Sequence, residues 1–74
     1  SNGLCYFLSM SYLSDEQKQV IIRKQLAEWE AQKLTVEVQI EGNLAINSSM
    51  DVSALEKQVS DIETAIAKVS KRLE

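Results

Sequence analysis

Val52, Leu55, Val59, Ile62, Ile66, Val69 and Leu73 recur at alternating intervals of three and four residues without a break. On a helix of about 3.6 residues per turn, such intervals gather all seven side chains into one narrow stripe. The stripe lasts about three heptads and must be covered. In a chain of 74 residues the cover is expected first from the chain itself. The helix is expected to begin near Asp51 or Ser53, where Ser53-Ala54-Leu55-Glu56 reads as a capping box. Lys68, Lys71 and Arg72 crowd its last turns, where cations complement the helix dipole.

A first helix is signalled by Ser14-Asp15-Glu16-Gln17, another capping box with two acidic residues in the first turn. Strong helix formers carry it from about residue 15 to residue 33. Ile22, Leu26 and Trp29 set one apolar face, while Val20, Ala27 and Ala31 lie nearly opposite. A helix that is apolar on two sides has more than one neighbour to bury against.

At Leu34 the pattern changes. Leu34, Val36, Val38 and Ile40 alternate with Thr35, Glu37, Gln39 and Glu41, a period of two rich in β-branched residues. That pattern predicts a half-buried strand. Glu41-Gly42-Asn43 then reads as a three-residue turn, which pairs Ile40 with Leu44 and Val38 with Ile46 on one face. Asn47, Ser48 and Ser49 close the second strand. An all-helical reading competes. If the first helix continued to Glu41, then Ile22, Leu26, Trp29, Val36 and Ile40 would form a seam interrupted by Lys33, with Gly42 as C-cap. The hairpin is preferred because alternation puts all four apolar residues of 34–40 on one face, whereas a helix splits them between two.

Residues 1–13 form an N-terminal arm or pre-start segment ahead of a single domain at 14–74. The apolar run Leu4 to Leu8 is too short for a membrane span, which takes about 20 residues. A signal peptide would begin with positive charge, and no Lys or Arg precedes Lys18. Met10 reads as the natural start, with residues 1–9 added by an upstream start choice or by cloning. In the competing reading Leu4, Tyr6 and Phe7 dock on a partner subunit. Cys5, with no base nearby, reads as an inert thiol.

Composition narrows the chemistry. The chain has no histidine and one cysteine, which removes nearly every zinc site, histidine-based proton transfer and an internal disulfide. A net charge of -3 gives no general reason to expect nucleic acid. The carboxylates Glu28, Glu30, Glu37, Glu41, Asp61 and Glu63 fall into no recognised metal loop. Neither glycine lies in a phosphate-binding motif. No catalytic residue, cofactor site or metal site is expected, and the composition fits a small cytoplasmic domain. Lys33 reads as a solvated or snorkelling lysine, and Trp29 as a helix–helix core residue with a docking anchor as the alternative.

Helix, short hairpin and helix in this order and size resemble the gpW family of small phage proteins that join head to tail. The residues that carry the resemblance are Lys33, Val38-Gln39, Gly42 in the turn, and Val52-Ser53-Ala54-Leu55-Glu56-Lys57. Leu26 and Trp29 sit where that family places large apolar residues of its first helix, and Ser14 where that helix begins. The similarity spans about residues 14–66. It implies a non-enzymatic phage or prophage component, located in the virion. Several copies would assemble as a ring at the portal vertex, touching portal or connector proteins and helping to retain DNA. The family's basic tail has no counterpart here, since the chain ends in a helix and Glu74, so direct DNA contact is not carried over.

The expected fold is therefore α+β: two antiparallel helices packed on a two-stranded hairpin. Its core would comprise Ile22, Leu26, Trp29, Val36, Val38, Ile40, Leu55, Val59, Ile62 and Ile66. The expected interface residues are Val20, Ala27 and Ala31, with Val69 and Leu73 protruding beyond the first helix. The expected function is head completion by ring assembly. The alternative is a helical-hairpin interaction or regulatory module that pairs with itself or with a partner helix.

Overall fold

The computed structural model describes residues 12–74. The segment 1–11, including Cys5, Met10 and the Leu4, Tyr6 and Phe7 arm, lies outside the described residues. Two helices make the fold: α1, Asp15–Ile46, and α2, Ser53–Ser70, which continues into a 3-10 turn at Lys71–Leu73. They run antiparallel and pack along their length.

The N-terminus of α1 forms as its residues dictate. Ser14 Oγ accepts from the Gln17 backbone N–H at 3.1 Å, and Gln17 Oε1 accepts from the Ser14 N–H at 2.8 Å. Asp15 and Glu16 occupy the first turn.

The expected β-hairpin is overturned. Among the described residues there is no strand, and α1 continues unbroken through 34–46. The physical reason lies in the spacing. On a helix, residues two apart point about 200° apart, and residues four apart share a face. The alternation of Leu34, Val36, Val38 and Ile40 is therefore what a helix with two opposite apolar faces produces. Val36 and Ile40 face α2, Val36 being buried and Ile40 half-buried. Leu34 and Val38 face away, 60% and 56% exposed. Val38 thus leaves the expected core. Thr35 meets the helix by donating its hydroxyl to the Ala31 carbonyl at 2.9 Å, so its branched side chain adds a local bond.

Nor does the helix end at the glycine. Gly42 lies inside α1 with open space beside its Cα, and no described residue has a left-handed backbone. The expected turn at 41–43 is replaced by a connection at 47–52. Asn47 ends α1 in an extended conformation, its N–H donating to the Asn43 carbonyl at 2.9 Å. Its side-chain Oδ1 accepts from the Ser49 N–H at 3.0 Å, the local bond that makes Asn a chain-reversing residue.

The start of α2 also differs from the expected capping box. Ser53 is the first helical residue, and Asp51 provides the acceptor. Asp51 Oδ1 takes the Ser53 hydroxyl at 2.6 Å and the Ser53 N–H at 2.9 Å. The hydroxyl bond first and the backbone bond second hold the Asp51 carboxyl below its usual 3.8.

The core is one seam. On α1 it runs through Ile22, Leu26, Trp29, Lys33, Val36, Ile40 and Asn43, and on α2 through Val52, Leu55, Val59, Ile62, Ile66, Val69 and Leu73. Val36 and Val52 are buried, at 6% and 9% exposure, and the others stay half-buried. Two helices alone leave both flanks of a seam open, so few side chains lose all their water.

Two outcomes follow for the fold. Val36→Ala is expected to cost about 2 kcal/mol of unfolding free energy from two lost buried carbons and the space they leave. Val38→Ala should stay within about 0.5 kcal/mol at concentrations that keep the chain monomeric. Chemical denaturation followed by circular dichroism measures both, and equal costs would contradict the placement. The second outcome concerns acid. Asp51 has a lowered folded pKa, so its ionised form contributes stability above 3.8 that is lost as pH falls through the folded value. Against Asp51→Asn, which keeps an acceptor but does not titrate, the wild-type advantage should shrink between about pH 5 and pH 2. A constant difference across that range would contradict the assignment.

Candidate interaction surface

The expected site residues fall on two opposite faces of α1. Ile22, Leu26 and Trp29 lie half-buried in the seam, as do Leu55, Val59, Ile62 and Ile66 on α2. Val69 and Leu73, expected to protrude, are half-buried instead. The antiparallel arrangement brings the N-terminal half of α1 past them. Val69 shares a groove with Trp29 and Ile22, and Leu73 another with Ile22. They are therefore part of the α1–α2 contact.

Val20, Ala27 and Ala31 are exposed. Leu34, Val38 and Ala45, assigned to the hairpin by the alternation, join them on the outward face of α1. Val20 is 65% exposed, which with Leu34 and Val38 makes a row of branched apolar side chains in water. These six residues stand at intervals of three, four and seven, a second stripe turned away from α2. The α2 helix has no such second stripe; its outward positions include Lys57, Asp61, Thr64, Lys68 and Lys71. The hairpin is thus finished on one side and open on the other.

Lys33 interrupts the seam of α1 and finds a charged partner there. Its Nζ lies 3.4 Å from Glu63 Oε2, with the two side chains 30% and 56% exposed. The lysine stem lies against the seam while its ammonium reaches the rim, as a snorkelling residue does. Two partly exposed charges add little stability, since water screens them. What they add is register, because a charge in a seam disfavours sliding that would bury it alone. Glu30 and Glu37 line the same shallow groove as Lys33 and Glu63. The second ion pair, Lys57 Nζ to Asp61 Oδ2 at 3.1 Å, is an exposed i,i+4 link along α2.

Among the described residues no group of His, Cys, Asp or Glu could hold a metal ion. No helix there is long and apolar enough to cross a membrane. The grooves are open troughs along the helix pair, such as the one formed by Glu37, Ile40, Glu41, Leu44, Glu56 and Val59. Arg72 borders the Trp29 groove, while Lys68 and Lys71 are exposed near the end of α2.

The architecture is that of a two-helix antiparallel hairpin with an additional apolar face. Comparison with family models, curated proteins and solved structures finds no match.

Sequence reasoning missed Asn43 and Glu63 as seam and rim residues, and Asp51 as the acceptor for Ser53 at the start of α2. The first was readable from the run 29, 33, 36, 40 and 43, whose three-four spacing continues past Gly42. The Asp51 bond was readable from a carboxylate standing two residues before Ser53.

Replacing Lys33 with leucine is expected to raise the thermal midpoint, adding about 1 kcal/mol by filling the seam with an apolar side chain. Register fidelity should fall with it, seen as broadened or doubled amide resonances around Glu63. A lower midpoint would show that the Lys33–Glu63 pair stabilises the hairpin.

Proposed function

We propose that this chain is a helical-hairpin protein–protein interaction module that self-associates through the outward face of α1. The observation that carries this reading is the row of exposed apolar residues Val20, Leu34 and Val38, interleaved with Ala27, Ala31 and Ala45. Single exposed apolar residues are ordinary, but an apolar stripe that runs along a helix with Lys24 and Glu41 as its only charged positions marks a contact surface. The small residues in the stripe let a second helix approach closely. Energetics point the same way. A two-helix seam with two buried residues is a small core, and neighbouring copies add burial that one copy lacks.

The phage head-completion reading loses the feature that suggested it. Gly42 and Val38-Gln39 carried the resemblance as parts of a turn and strand, and both stand inside α1. The interaction module keeps the apolar surface and needs no β-hairpin.

Sedimentation equilibrium over a wide concentration range tests the proposal. The average mass should rise with concentration. Leu34→Glu with Val38→Glu should abolish the rise while circular dichroism stays helical. A wild-type chain that remains strictly monomeric at high concentration would overturn it.

A further inference from the structure

Resting on the self-associating reading, we infer that the outward face of α1 is built to pair with a second copy of the same helix, antiparallel and in one register. Two observations select that occupant: the order of large and small residues along the stripe, and the charges within it.

Seen as a seam, the outward face runs through Val20, Lys24, Ala27, Ala31, Leu34, Val38, Glu41 and Ala45 at alternating intervals of four and three, with Glu41 at its edge beside the trough toward α2. A two-fold axis between positions 32 and 33 sets Val20 opposite Ala45, Ala27 opposite Val38 and Ala31 opposite Leu34. Every apolar layer then holds one larger and one small side chain, so these layers have similar volume and neither clash nor leave voids. The same operation sets Lys24 opposite Glu41, twice per dimer. A parallel pairing gives the reverse. It stacks Leu34 on Leu34 and Val38 on Val38, leaves gaps at Ala27 and Ala31, and brings Lys24 against Lys24 and Glu41 against Glu41. Like charges directly facing each other discriminate against that arrangement.

The face is self-complementary in one orientation, which is the requirement of a two-fold interface. An unrelated partner helix would need apolar bulk opposite the alanines. It would impose no reason for Val20, Ala27, Ala31, Leu34, Val38 and Ala45 to be mutually matched about a midpoint. Glu30 and Glu37 border the stripe on one edge, where solvent screens the like charges the pairing brings nearest. In the dimer four helices lie side by side, with the two α1 helices in the middle and each α2 outside.

Cysteine cross-linking in the full chain tests the register. One chain carries Ala27→Cys and another Val38→Cys, each also with Cys5→Ser to remove the native thiol. In the inferred dimer position 27 faces 38 of the other copy. Two copies of position 27 stand about 16 Å apart along the axis at about 1.5 Å per residue, beyond the reach of a disulfide. Mild oxidation should therefore give dimer from the mixed chains and little from either alone. Cross-linking of each variant with itself, with none gained on mixing, would mean parallel pairing and overturn the inference while leaving self-association standing. A dimer by sedimentation that cross-links in neither way would overturn this face. A strict monomer would overturn the inference together with the reading beneath it. Charge reversal gives an independent readout. Lys24→Glu should weaken dimerisation at least tenfold, and Lys24→Glu with Glu41→Lys should restore it. A double variant as weak as the single one would contradict the Lys24–Glu41 pairing.

Discussion

The antiparallel seam between α1 and α2 is the contact on which everything else rests. Among the described residues each helix has only the other to pack on, and the facing stripes keep three-four spacing, with Lys33 as the charged break on α1. Matching the stripes fixes which side of α1 turns inward. Once Val36 and Ile40 face α2, Leu34 and Val38 must face away, since the intervening angle is set by helix geometry. The outward surface is therefore a consequence of the seam, and the interaction reading follows from the same geometry that builds the fold.

The seam is also thin. Two helices surround a contact line from two directions only, so water reaches most of its residues from the flanks. Val36 and Val52 alone are buried among the described residues. Local devices at the ends support the helices: the reciprocal Ser14–Gln17 bonds, the Asn47 chain reversal and the Asp51–Ser53 bonds. They decide where each helix starts and stops. They do not add apolar burial, and the apolar stripe on the back of α1 is where further burial is available.

Much of this arrangement was legible in the residues. The α2 stripe from Val52 to Leu73, the Ser14 box and the double-faced character of the early α1 residues each predict the local structure that forms. Residues 34–46 were not legible in the same way. Alternation at two is the strand signature when one face is buried, and over seven residues it coincides with a helix that buries one face and presents another. Local β propensity at Thr35, Val36, Val38 and Ile40 then tips the reading toward a strand. The tie is broken by the packing: continued as a helix, the chain keeps its three-four stripe to Asn43 and sets Val36 and Ile40 against α2. Gly42 added to the ambiguity, since a glycine after an apolar run serves equally as a turn or as a tolerated interior residue. The interface was visible in part through Val20, Ala27 and Ala31. Its other half was hidden because Leu34, Val38 and Ala45 had been assigned to the hairpin.

The most direct measurement is the set of backbone carbon chemical shifts across residues 34–46, together with nuclear Overhauser contacts between Ile40 and Val59. Helical shifts continuing through Ile46, with cross-peaks between those two side chains, are the predicted result, because only a continuous α1 places both apolar faces as described. Extended shifts over 34–40 with a turn at 41–43 would contradict it, returning Leu34 and Val38 to a sheet and removing the C-terminal half of the second face.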